Sequence, residues 1–140
     1  MERVYTRPRI DKLGVKPGMR IAVIGLEDAD DFHRELRTRT DDIDAAPAPT
    51  EEVPERDTDL IFLAADSHAE LAQLPRLRER LKPNGAIWVI SRKGTAATLT
   101  YHDVLQATLG AQLIDNKVVS FDEARTSLRL VIPVALRPKA

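Results

Sequence analysis

The sequence contains no cysteine, which excludes disulfides, thiol catalysis and thiolate metal sites. Long apolar runs are missing too. The longest strongly apolar stretch, LIFLAA at 60–65, falls far short of the roughly 20 residues that cross a bilayer. The first ten residues, MERVYTRPRI, lack the apolar core of a signal peptide. The expected location is the cytoplasm, with no membrane partner. A concentrated basic face is also lacking. Net charge is −1, and residues 21–59 carry thirteen acids against four bases. Nucleic-acid binders gather basic residues, so no nucleic-acid partner is expected. There is no Ser-His-Asp motif, nucleophile elbow, P-loop or deaminase signature. No catalytic residue and no metal ligand is assigned.

What is there reads as an ordinary globular chain. Its 140 residues are 43% hydrophobic and 31% charged, enough for a real core, and we assign residues 1–140 to a single domain. Residues 1–14 are polar, contain Pro8, and read as an N-terminal arm with one helical turn. A Pro17-Gly18 turn leads into RIAVIG at 20–25, an almost continuously apolar strand of the kind covered on both faces in a parallel sheet. A helix is expected over 28–38, with Ala29, Phe32, His33 and Leu36 on one stripe. Residues 43–46 make a short strand. Residues 47–58 are rich in proline and acid with little to bury, and read as a flexible surface loop.

Residues 60–65 form the next strand. Ser67 and Glu70 have the spacing of a helix capping box, followed by a stripe of Leu71, Leu74, Leu77 and Leu81. Pro75 suits the opening of the main helix, and Lys82-Pro83-Asn84-Gly85 is expected to end it. AIWVIS at 86–91 is a further buried strand, in which Trp88 reads as core. Thr100 caps a helix over 101–109 whose inner face is expected to be Val104, Leu105 and Leu109, with Gly110 as its stop. Strands over 113–121 and 127–134 form a hairpin, with Pro133 at the end of an edge strand.

Strands alternating with helices predict an α/β fold: a Rossmann-like open, mostly parallel sheet flanked by helices and closed by a C-terminal antiparallel hairpin. Ligands of such sheets lie beyond the carboxyl ends of the strands. That places residues 25–31, 65–68 and 91–95 along one crevice.

VKPGMRIAVIG, followed later by LRERLKPNGAIWVIS, resembles the first and fifth strand regions of class I S-adenosylmethionine-dependent methyltransferases. More narrowly, the chain resembles a mainly actinobacterial group of short proteins, domain of unknown function 3052. That likeness lies in KLGVKPGMRIAVIG (12–25), DLIFLAADSHAELAQLPRLRERLKPNGAIWVISRKGT (59–95) and LTYHDVLQATLGAQLIDNKVVSFDEARTSLRLV (99–131). The resemblance implies a methyltransferase-like fold and carries no established activity.

The cofactor loop of the broader family resembles acid-x-Gly-x-Gly-x-Gly. Aligned to it, this chain has Val23 for the acid, Gly25 for the first glycine, and Glu27 and Ala29 for the other two. Side chains there crowd a nucleoside, because the glycines serve close backbone approach. The acids also repel phosphate. Asp42 or Asp44 is the candidate for the acid that grips the ribose.

If a nucleoside site survives, its residues are Gly25, Glu27, Asp28 and Asp66. Glu27, Asp28, Asp30 and Asp31 otherwise read as acids dressing a helix N-terminus. His68 and His102, near Asp66, lack metal-site spacing and read as exposed helix-start residues. His33 is expected to be half-buried. Ser91, Arg92, Lys93 and Thr95 form a loop able to receive a phosphate or carboxylate, and are the first candidate for an anion or substrate site.

The expectation is a non-catalytic methyltransferase-like scaffold without cofactor, acting through a protein partner or self-association by the hairpin or a sheet edge. The alternatives are a divergent S-adenosylmethionine-dependent methyltransferase on a small substrate, and a small-anion-binding protein using Arg92 and Lys93.

Overall fold

A computed structural model describes residues 7–48 and 57–138. Its centre is a six-stranded sheet in the order β2-β1-β3-β4-β6-β5. The strands are β1 (Ile21–Ile24), β2 (Ile43–Ala46), β3 (Thr58–Ala64), β4 (Leu81–Arg92), β5 (Ile114–Ser120) and β6 (Arg125–Val131). The first four run parallel, while β6 pairs antiparallel with both β4 and β5. The expected α/β sheet with its closing hairpin is what the chain forms.

Helices cover both faces, which is why the inner strands are apolar at consecutive positions. On one face Ala22, Ile24, Ile61, Leu63, Ile87 and Val89 pack with Leu71, Leu74, Leu77 and Val104. These come from α3 (His68–Leu71), α4 (Leu74–Arg78) and α5 (Tyr101–Gly110). On the other face Ile21, Val23, Phe62, Trp88 and Ile90 pack with Ile10 from α1 (Arg9–Lys12), with Leu13 and Val15 beyond it, and with Phe32 and Leu36 from α2 (Asp30–Arg37). Alternate residues of each strand serve opposite faces. Trp88 is core, as expected, and its indole N–H donates to the Leu13 carbonyl at 3.1 Å. Phe32 stands edge-on to Phe62 and Phe121, with ring centroids 5.0 and 4.8 Å apart.

Several local expectations need correction. Residues 1–14 include the expected helical turn, α1, but are not simply polar: Ile10 and Leu13, and Val15 after them, are buried; residues 1–6 lie outside the described residues. Of the loop expected at 47–58, residues 49–56 lie outside them too, and Thr58 already belongs to β3. Helix α4 ends at Arg78, and Lys82-Pro83-Asn84-Gly85 sits within β4 rather than ending a helix. The reason is register: Thr58 pairs with Leu81 but Leu60 with Ala86, so residues 82–85 bulge against a single β3 residue. In α5 the buried residues are Val104 and Thr108, while Leu109 is 54% exposed. The Thr108 hydroxyl satisfies itself on the Val104 carbonyl at 2.7 Å, so a polar residue takes the inward position. Finally, β6 is an interior strand ending at Val131, and Pro133 lies beyond it; the edge belongs to β5.

Candidate functional site

The chain passes from β1 to β2 on one side and later to β3 on the other, and in open α/β sheets ligands settle outside such a reversal. Gly25 follows β1 there with a φ of +81°, a conformation that suits glycine. Its N–H donates to the Ala46 carbonyl at 2.9 Å. A Cβ on Gly25 would lie 3.1 Å from the Ala64 Cβ and 3.7 Å from the Pro47 carbonyl oxygen. Leu26 is only 1% exposed and belongs to the core. Glu27 and Asp28 are exposed, and Asp28 meets Arg125 of β6 at 3.5 Å. His33 is half-buried, with its Nε2 2.9 Å from the Leu26 carbonyl. Around Val23, Leu26, Glu27, His33 and Pro47 the hollow is about 120 Å³.

Asp66 was grouped by sequence with Gly25, but its carboxylate turns to the next loop. Its Oδ1 accepts the Arg92 backbone N–H at 2.9 Å, and its Oδ2 lies 3.8 Å from the Arg92 guanidinium. The Asp66 backbone N–H donates to Glu70 at 3.0 Å, and its carbonyl accepts from Thr98 at 2.5 Å. Ser67 Oγ accepts the Glu70 N–H at 3.2 Å, so the cap forms, with Glu70 reaching one residue further back than a capping box. Of the two ribose candidates, Asp42 precedes β2 and pairs with Arg20 at 3.3 Å, while Asp44 is inside β2 opposite Ala22. Neither stands at the carboxyl end of β2.

His68 is exposed, with Nε2 4.0 Å from Asp103 Oδ1, and His102 is exposed beside it. Asp103 belongs to the capping box of α5, accepting the Thr100 N–H at 2.9 Å while its own N–H donates to Thr100 Oγ1 at 3.0 Å. Bonds from the Thr100 N–H and hydroxyl to its carboxylate hold it below the usual carboxylate range, with smaller help from the two histidines. Among the described residues no group of three His, Asp or Glu is placed to hold a metal. No helix among them is long and apolar enough to cross a membrane.

Ser91, Arg92 and Lys93 line a cleft of about 210 Å³ between the carboxyl end of β4, the β5–β6 hairpin and the start of α5. Thr95 is exposed in the short turn Gly94–Ala96 and stands apart from that lining. Sequence reading missed the floor and rim: Val89, Leu99, Val104, Val118 and Leu128, with Tyr101 at the mouth. One signal was available. Val118 and Val119 are neighbours in a strand, so one of them must face outward; Val119 is buried and Val118 is 62% exposed. The Tyr101 hydroxyl donates to Asp115 at 2.7 Å, which holds the phenol above its ordinary pKa. A second, polar groove of about 440 Å³ runs past Arg9, Asp28, Asp31, Arg34, Asp122 and Arg125. Most of its charges are paired, Arg125 with Asp28 and Asp122, Arg34 with Asp31, and Arg9 with Glu35; Asp30 also lines it.

No family model matches the sequence, and no curated protein matches it. Solved structures do resemble it. The pyocyanin biosynthetic protein PhzM superposes on 89% of this chain with a TM-score of 0.67 and 11% identity. This chain spans about half of PhzM, 53%. A SAM-dependent methyltransferase from Aquifex aeolicus superposes on 88% of this chain and 87% of its own, with a TM-score of 0.64 and 15% identity. A TehB-like SAM-dependent methyltransferase from Corynebacterium glutamicum covers 89% and 86%, with a TM-score of 0.61 and 11% identity. The likeness establishes the methyltransferase-type Rossmann-like fold.

Proposed function

We propose that this chain binds rather than transfers: a methyltransferase-fold scaffold acting on a protein partner or a second copy, without S-adenosylmethionine. The observation that carries this reading is the crowding directly around Gly25 by the chain's own atoms. Ala64 and Pro47 close on Gly25, Leu26 is buried, and Asp66 is engaged by the Arg92 backbone. Nucleoside binding needs close backbone approach at this loop, the hollow directly beside it is only about 120 Å³, and the larger one of about 470 Å³ past Glu27, Asp30, His33, Arg34, Arg37 and Ala45 is an open, charged groove. On this reading the crevice does not hold S-adenosylmethionine. For self-association the outer strand β5 offers its edge, with Ile114 and Val118 exposed. Kinship with domain of unknown function 3052 belongs to the same proposal and rests on its three sequence stretches.

The second reading is a divergent S-adenosylmethionine-dependent methyltransferase on a small substrate, with Gly25, Glu27 and Asp28 on the cofactor side. Likeness of fold to methyltransferases favours it over the scaffold; the crowding around Gly25 puts it second. Calorimetry with S-adenosylmethionine and S-adenosylhomocysteine, read beside thermal unfolding, separates the two. A ligand at 100 times its dissociation constant stabilises a fold by about 2.7 kcal/mol. We expect no heat and no shift at millimolar ligand. Saturable binding at the crevice would instead establish the second reading.

A further inference from the structure

We propose that the cleft between β4, the β5–β6 hairpin and the start of α5 binds a small amphipathic monocarboxylate. Its tail would lie on Val89, Leu99, Val104, Val118 and Leu128, and its carboxylate at Lys93 and Arg92. This inference goes beyond the scaffold reading and stands without it, since the cleft is separate from the hollow beside Gly25.

Size comes first. A volume of about 210 Å³ equals about seven waters at roughly 30 Å³ each. A methylene takes a similar share, so the cleft covers the roughly seven-carbon tail of an eight-carbon acid and leaves its carboxylate at the mouth. Composition comes next. Ligand pockets are apolar hollows with few converging polar groups, and here an aliphatic floor meets cations along one side of the mouth.

Charge decides the head group. The Lys93 ammonium rests on the neutral Ser120 hydroxyl at 3.0 Å. Arg92 is exposed and only loosely opposed to Asp66 at 3.8 Å. Asp103 and Asp115 keep their charge but do not line the cleft; their carboxylates accept the Thr100 N–H and the Tyr101 hydroxyl. An anion is therefore favoured over a neutral or cationic head. Two monovalent cations, one of them shared with Asp66, match one carboxylate better than a dianion. Tyr101 and Val118, 57% and 62% exposed, flank the mouth with apolar surface that a tail would cover.

The experiment compares three eight-carbon probes, octanoate, 1-octanol and octylamine, by calorimetry and by amide and methyl NMR shifts on the full chain. We expect saturable octanoate binding with shifts at Leu99, Val104 and Val118, at least fivefold tighter than 1-octanol and tighter still than octylamine. Added salt should weaken octanoate only, as a solvent-facing ion contact requires. Lys93→Gln, on the surface and verified as folded by its amide spectrum, should raise the octanoate dissociation constant about tenfold and leave 1-octanol unchanged. The proposal is overturned by no binding at several millimolar, by 1-octanol matching octanoate, by shifts clustered elsewhere, or by a Lys93→Gln chain that binds octanoate as before.

Discussion

A methyl group on Gly85 would stand 2.6 Å from the Asp59 carbonyl oxygen and 2.9 Å from Leu81 Cδ1. The first of those neighbours is backbone in the adjacent strand, so it has little room to retreat. Gly85→Ala should therefore destabilise the fold by about 1–3 kcal/mol, the usual cost of overpacking. Denaturant unfolding followed by Trp88, the only tryptophan, measures it, and a midpoint equal to wild type would refute the close approach. Sequence reading had assigned this glycine to a helix stop, because Lys-Pro-Asn-Gly is turn chemistry wherever it occurs. What makes it indispensable is a bulge, and a bulge is a relation between two strands. Trp88 was legible for the opposite reason. An aromatic among Ile87, Val89 and Ile90 has no polar side to turn to, although nothing local announces the Leu13 carbonyl as its partner.

Elements show the same division. The cap at Thr100 was legible because it is a contact between residues three apart, and the structure contains both of its hydrogen bonds. Thr100→Ala should cost about 1 kcal/mol. The pH dependence follows from Asp103, whose carboxyl sits below its ordinary range mainly because the Thr100 N–H and hydroxyl bond to it. A depressed carboxyl contributes stability that is full above its unfolded pKa, about 3.9, and is lost as pH falls through the lower folded value. Asp103→Asn should therefore be less stable than wild type at pH 7, with the gap closing below about pH 4. Parallel unfolding curves over that range check it, and a gap constant with pH would contradict the cap's charge. The inner face of α5 was less legible. Hydrophobicity favoured Leu109, but position on the helix decides burial, and the inward place went to Thr108, whose hydroxyl finds the Val104 carbonyl.

For the whole molecule, the segment before β1 is the test of how much of the core lies outside the main elements. Ile10, Leu13 and Val15 sit under the sheet, the Arg9 guanidinium packs over Phe32 and Phe121 and donates to the Phe121 carbonyl at 2.8 Å, and Lys117 reaches the Lys12 carbonyl at 2.9 Å. Leu13→Ala should cost about 2–5 kcal/mol, the range for emptying a buried leucine site. An arm detached from the core would lose almost nothing, so denaturant unfolding distinguishes the two. By itself the amino-acid sequence determined the alternation of strands and helices, the parallel sheet buried on both faces, the closing hairpin and the caps. Each of these follows from periodicity or from residues a few positions apart, and local spacing carries that information. Only the tertiary structure decided that Asp66 faces Arg92, that Ala64 and Pro47 close on Gly25, and that Leu99, Tyr101, Val104 and Val118 share one cleft with Lys93. Those are meetings of loops and elements far apart in the chain, set by strand order and register, and no short stretch of sequence encodes them.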